Sequence, residues 1–315
     1  MIASEHRRVL HRVAVLVAAL VVLAGACSRT EHTSPPPRPG PPSRPIPPSR
    51  PAPPATTNVW TPRPGTTWQW QITGTVDTSV SPATMFDVDL SDAMPSARTA
   101  QVPGFGAVTW PAGVNAGIIP RLHAMGKTVI CYMDSGAFES YRPDAKLFPA
   151  SVIGSGTGWD GERWLDLRPA ARSRFAPIVW SRMDVARSIG CDGVEPDQNN
   201  PIGNDPGFPI TVADQTSWYL EVARQAHARH LSVGMKNGIE SINRSTVSAF
   251  DWALNEECFQ YDECEALLPF VGAGKAVFQV EYQGDPATIC PVARRDGFSS
   301  MKKRLELDSW RQPCF

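Results

Sequence analysis

Histidine is scarce in this chain and placed against metal chemistry. Of six in 315 residues, His6, His11 and His32 precede the foldable part, His227 and His230 end one helical segment, and His123 lies in another. No two have the spacing of a zinc site. There is no Gly-x-Ser-x-Gly elbow and no convincing Ser/His pair, which removes that route to nucleophilic catalysis. No Gly-rich phosphate loop follows the first strand, so an open, doubly wound nucleotide-binding sheet lacks its cradle. No cofactor and no metal are expected. Lysine and arginine form no cluster fit for a phosphate backbone, so nucleic acid is not an expected partner. Residues 1–58 hold seven arginines, two glutamates and no lysine; of the chain's 30 basic and 31 acidic residues the remainder keeps 23 and 29, a net of −6. An acidic domain favours a neutral or cationic ligand.

What is present begins with an export signal. Arg7, Arg8 and Arg12 precede Val13 to Ala26, an apolar stretch too short to span a bilayer comfortably, which ends Leu23-Ala24-Gly25-Ala26-Cys27. The cysteine after Ala-Gly-Ala resembles a bacterial lipobox, which implies a lipoprotein-type signal peptide over 1–26 and lipidation of Cys27; an ordinary signal peptide is the alternative. Either form predicts an exported protein, a cell-envelope lipoprotein or a secreted one, touching the membrane only through Cys27. Twelve of the residues from Ser34 to Pro54 are proline, so 27–58 reads as an extended, disordered tether without a core. The stretch 59–315 is long enough for one large domain, expected to be a monomer.

Seven cysteines less Cys27 leave six in an oxidising compartment. Cys258 with Cys264 and Cys290 with Cys314 are natural pairs. Cys131 and Cys191 sit inside apolar strands and read first as buried small hydrophobes, with a third bridge as the alternative.

Along the domain, apolar runs alternate with helical ones. Strands are predicted at Trp68–Ile72, Met85–Leu90, Lys127–Asp134, Ile189–Asp197, Leu231–Asn237, Phe250–Glu257, Lys275–Tyr282 and Phe298–Arg304. Between them fall helices at 116–125, closed by Gly126, at 168–188, and at 211–229, opened by a Thr211/Asp214 capping pair. About eight strands in this rhythm predict an α/β fold, a (β/α)8 TIM barrel. Asp89, Asp134, Asp197, Lys236, Glu256 and Glu281 each lie where a strand gives out, so closure would bring all six to one rim. Of Asp87 and Asp89, only the latter is expected at the mouth.

Two carboxylates facing across a sugar ring are the minimal apparatus of glycoside hydrolysis, and the loop tryptophans and tyrosines suit stacking on sugar faces. Asp192-Gly-Val-Glu-Pro-Asp197, Met235-Lys-Asn237, Asn255-Glu-Glu-Cys-Phe259, Val280-Glu-Tyr282, Trp68-Gln-Trp-Gln71 and Asp87-Val-Asp-Leu90 together resemble glycoside hydrolase family 114, the endo-α-1,4-polygalactosaminidases with a TIM barrel. The resemblance runs from about Trp68 to the C-terminus. It implies Asp197 as nucleophile and Glu256 as acid/base of a retaining mechanism. It also implies Asp89, Tyr132, Asp134, Lys236, Glu281 and Tyr282 as substrate-binding residues for a cationic or partly deacetylated amino-sugar polysaccharide, with Lys236 neutralising and positioning a carboxylate.

Blander roles are expected elsewhere. Glu195, before proline, is expected to anchor its loop by hydrogen bonds; Glu139, Asp144, Asp160 and Glu162 read as a solvated loop face; Trp164 and Asp166 brace that loop. The competing function is a non-catalytic, surface-tethered carbohydrate-binding lipoprotein on the same barrel, and a purely structural envelope protein is the third reading. A binding module has no need of both Asp197 and Glu256.

Overall fold

The computed structural model describes residues 59–80 and 82–314. The predicted signal segment, Cys27 and the tether over 27–58 lie outside the described residues. Eight strands follow one another in sequence order around a single sheet: β1 (Trp68–Trp70), β2 (Met85–Asp89), β3 (Thr128–Asp134), β4 (Gly193–Asp197), β5 (Ser232–Lys236), β6 (Trp252–Glu256), β7 (Val277–Glu281) and β8 (Ser299–Lys303). Each is parallel to the next, and a short β9 (Arg311–Pro313) returns antiparallel along β8. Side chains join the two ends: the Trp68 indole N–H donates to the Ser299 carbonyl at 2.7 Å, and Arg311 donates to the Trp68 carbonyl. The result is the α/β barrel that the strand spacing predicts, each strand shorter at its ends.

Strand alternation divides each segment between two cores. On β3, Val129, Cys131 and Met133 pack outward among the helices, whereas Ile130 joins Trp68, Trp70, Met85, Trp252, Leu254, Phe278, Val280 and Met301 inside the barrel. The interior is tight. A Cβ on Gly234 would lie 2.2 Å from the Trp252 ring, so the missing side chain on β5 is the space the indole occupies. Phe278 lies 4.8 Å from Trp68 and 5.4 Å from Trp252 between ring centroids, contacts worth roughly 0.5–1.5 kcal/mol each beyond burial.

Helices α1 (Ile118–Ala124), α2 (Ala176–Ile189), α3 (Val212–His227), α4 (Arg244–Ala249), α5 (Leu268–Gly272) and α6 (Pro286–Arg295) cover the outer face. The expected cap is present on α3, where Asp214 N–H donates to the Thr211 hydroxyl and the Asp214 carboxylate accepts from Thr211 N–H. Gly190 ends α2 in the left-handed region at φ 99°, which turns the chain into β4. Cys258–Cys264 and Cys290–Cys314 are bridged, and so are Cys131 and Cys191. The bridge replaces the reading of Cys131 and Cys191 as free hydrophobes. Cys131 faces outward on β3, opposite Val194 of the adjoining β4, and Cys191 leads into that strand, leaving the two Cα atoms 6.0 Å apart.

Candidate active site

Three consecutive strands end in the residues that define the site: Asp197 on β4, Lys236 on β5 and Glu256 on β6. In each case the next residue, Gln198, Asn237 or Glu257, is a non-glycine held at φ 58°, 50° or 63°. Left-handed backbone at such residues costs on the order of 1–3 kcal/mol and collects at functional sites. The turns aim what precedes and follows them. Gln198 N–H donates to Asp197 Oδ1 at 2.6 Å, while the Asn237 amide clamps Glu256, donating to Oε2 at 2.9 Å and accepting from its N–H at 2.9 Å.

Lys236 lies at the centre. Its Nζ is 2.8 Å from Asp197 Oδ2, 3.0 Å from Glu195 Oε1 and 3.4 Å from Glu256 Oε2, and 4.4 Å from the centre of the Trp70 ring. Burial works against the ammonium, but the three acids outweigh it and hold Lys236 charged well above its ordinary range. Tyr132 donates within reach of both Asp134 Oδ1 (3.2 Å) and Asp197 Oδ2 (3.1 Å), and Tyr282 donates to Glu256 Oε1. Burial pushes the Glu256 carboxyl up, yet Lys236, Tyr282 and Asn237 together bring it below its ordinary value.

The expected binding residues divide between the rim and its supports. Asp134 is side by side in register with Asp197, fully buried, and its Oδ2 has no hydrogen-bond donor. Burial, then Glu139 and Asp197, push its carboxyl up. Asp89 stands at the mouth, held bidentately by Arg142 at 2.9 and 2.6 Å. Glu281 lies apart from this group: its Oε1 accepts from Phe259 N–H at 3.0 Å and Gln279 Nε2 at 2.6 Å, bracing the loop that Cys258–Cys264 closes.

Several buried acids escape a reading by strand ends. Glu139 and Asp144 are fully buried rather than solvated: Arg182, itself buried on α2, bonds Glu139 at 2.6 Å and Asp144 at 2.7 and 2.9 Å. An arginine one turn beyond Val179 on an apolar helix face was the available signal, since a buried guanidinium requires acids around it. Glu195 does not anchor its loop. It points to the barrel axis, and the loop is held by Asn199, which accepts from Ser135 and Trp218 at 2.7 Å each and donates to the Pro196 carbonyl. Asp87 also faces inward, two residues and one layer below Asp89. Asp134, Glu139 and Glu162 each bring a carboxylate oxygen within 4.8 Å of the others. Glu139 is already neutralised by Arg142 and Arg182, and Glu162 accepts from Tyr141 at 2.7 Å, so the trio could hold a cation with Asp134 as its barest member.

The sequence model of glycoside-hydrolase family GH114 matches residues 49–315. The chain belongs to glycoside-hydrolase family GH114. Among solved structures, Aspergillus fumigatus Ega3 in complex with galactosamine is 31% identical, with 81% of this chain and 97% of that one covered at a TM-score of 0.69. The glycoside hydrolase domain of PelA from Pseudomonas aeruginosa is 14% identical, covering 78% and 97% at a TM-score of 0.56, and speaks for the fold alone. An uncharacterized protein of Deinococcus radiodurans is 26% identical over 206 residues; the match takes in 59% of this chain and 64% of that protein's length.

Proposed function

We propose that the protein is an endo-acting hydrolase of α-1,4-linked, galactosamine-containing polysaccharide, exported and lipidated at Cys27, with Asp197 as nucleophile and Glu256 as acid/base. The observation that carries this reading is the single ammonium in contact with both carboxylates. One Nζ in reach of both carboxylates keeps the pair close, which favours the roughly 5–5.5 Å spacing of retaining enzymes over the roughly 6.5–9.5 Å that admits a water between acid and base in inverting ones. The proposed mechanism is therefore a retaining one, with a covalent glycosyl-enzyme on Asp197. The galactosamine in the Ega3 complex and the donor-free, buried Asp134 oxygen support an amino sugar: a protonated 2-amino group supplies a cation to Asp134, the barest member of the acidic trio.

The acid role sets a pH dependence. Glu256 must carry its proton when the glycosidic bond breaks, and its neighbours hold it below the ordinary carboxyl range, so turnover is expected to be greatest at acidic pH and to fall as pH rises.

The test is release of oligosaccharides from a partly deacetylated α-1,4-galactosamine polymer, with the configuration of the new reducing end followed by NMR. Glu256→Gln is expected to lose on the order of 10²–10⁴ in kcat, and Asp197→Asn at least as much, with both variants folded. Products should appear first as the α-anomer. A β-anomer would exclude retention, and binding without turnover by the native protein would leave a lectin-like barrel.

A further inference from the structure

Below the catalytic pair lies a second pair of acids that the reaction scheme does not use. Asp87 on β2 and Glu195 on β4 point to the barrel axis and are fully buried. Among the described residues, neither oxygen of Asp87 accepts a hydrogen bond from an N–H or O–H, and the one donor in reach of Glu195 is the Lys236 ammonium. The two carboxyls face each other within hydrogen-bonding reach, and the nearest cation is Lys236, 3.0 Å from Glu195 Oε1. Two bare carboxylates in contact, walled by Trp70 and the aromatic interior, repel with little solvent to screen them. One proton between them turns the contact into a charge-assisted hydrogen bond.

We propose that Asp87 and Glu195 share one proton and act as a positioning pair of net charge −1, which fixes Lys236 beneath Asp197 and Glu256 so that one ammonium serves each in turn. The proposal rests on the catalytic reading given above. In the first half-reaction an Asp197 oxygen bonds to the anomeric carbon, the glycosidic C–O bond breaks and the leaving oxygen takes the proton of Glu256. Asp197 loses its charge and Glu256 gains one. The anion beside Nζ thus moves from an oxygen at 2.8 Å to one at 3.4 Å while the total charge is unchanged. In the second half a water oxygen attacks the same carbon, its proton goes to Glu256, and the Asp197 ester breaks. The pair keeps its proton and Lys236 keeps all of its own.

The charged and titratable groups facing this unit are few: Lys236 and Asp197 at the acid pair, and Glu256, Tyr132 and Tyr282 at the ammonium. Burial pushes both acids up; for Glu195 the ammonium opposes it, leaving the carboxyl at about 7.

Amide substitution separates the alternatives. In Asp87→Asn or Glu195→Gln the remaining acid ionises against the new amide N–H, so the charge stays at −1. Both limbs of the pH–kcat profile are expected to stay in place, and KM to stay within about twofold. The double variant removes the charge and moves both limbs down by about 1–2 pH units. Independently of activity, each single variant should lose one protonated-carboxyl band from the infrared spectrum of the native protein at pH 7. Single variants that shift the profile as far as the double, or that leave the band intact, overturn the shared proton. So does a single variant that fails to fold, because an amide–carboxylate contact is at least as well bonded as the one it replaces. If the native protein releases no product, the catalytic reading and the positioning role fall together, and the infrared arm still decides whether the pair holds a proton.

Discussion

The barrel interior has two arcs of opposite character. From β6 round to β1 most inward residues are apolar, Trp252, Leu254, Phe278, Val280, Met301, Trp68 and Trp70, a largely aromatic wall with Glu256 and Lys303 only at the strand ends. From β2 to β5 the same inward positions carry Asp87, Asp89, Asp134, Glu195, Asp197 and Lys236, nearly all of them buried as deeply. Both arcs obey the same alternation, so the backbone does not decide which is which. The difference is that the aromatic arc packs on itself, whereas in the polar arc Asp87, Asp134, Glu195 and Lys236 are each shifted by burial and by charged neighbours. The aromatic wall also lowers the local dielectric, which makes the couplings opposite it strong. On the proposed function, one arc supplies stability and the medium, and the other supplies the chemistry.

The severest way to break this division is Lys236→Met. It removes the one cation that, among the described residues, touches Glu195, Asp197 and Glu256 while keeping the side chain's bulk. Deleting one partner of a buried ionic group costs roughly 3–5 kcal/mol, and the proposed sharing of the ammonium between Asp197 and Glu256 goes with it. Denaturant unfolding should show that loss, and turnover should fall by on the order of 10³ or more. A variant that keeps either its stability or its rate would mean that the polar arc does not depend on Lys236.

Trp252→Ala attacks the other arc. The indole is fully buried, fills the space left by Gly234, packs on Phe278 and donates to the Ser232 hydroxyl at 3.1 Å. Its removal should cost about 3–5 kcal/mol, read as a lower unfolding midpoint. If the arcs are divided as described, the limbs of the pH–kcat profile stay where they were. A large displacement of those limbs would show instead that the aromatic wall tunes the acids directly.

How much of this the sequence discloses depends on whether a residue's neighbours lie along its own strand. The eight strands, the Thr211 cap and the Gly126 stop are local patterns, and each appears where its pattern predicts. Asp197, Lys236 and Glu256 were found by the same means, since a strand end is a place on a rim once a barrel is assumed. Arg142 on Asp89, Arg182 on Glu139 and Asp144, and Asp87 against Glu195 are contacts between distant segments, which no periodicity records. Glu195 shows the limit most clearly. Its proline neighbour points to a loop role, but the strand's period of two turns it to the axis. The Cys131–Cys191 bridge stands in the sequence only as the alternative for a related reason: apolar surroundings suit a free cysteine and a buried cystine equally, and the parallel register of β3 with β4 distinguishes them.

The smallest expected effect tests a residue on neither arc. Glu281 is an acid at a strand end, as Asp197 is, but its carboxylate braces the Phe259 backbone instead of reaching the rim. Burial pushes its carboxyl up to about 7 against the hydrogen bonds it accepts. Below about pH 4.3, the ordinary glutamate value, folded and unfolded chains both hold this proton. Between there and about pH 7 the folded chain keeps a proton that the unfolded chain has released, so stability falls as pH rises through that window. Glu195 contributes in the same direction over the same range. Glu281→Gln should therefore flatten the decline of Tm between pH 5 and pH 7 by on the order of 2 °C, leaving kcat and its pH limbs unchanged. An unaltered slope would show that the brace titrates no differently in the folded and unfolded chains. A loss of turnover at constant stability would put Glu281 back among the groups that meet the substrate.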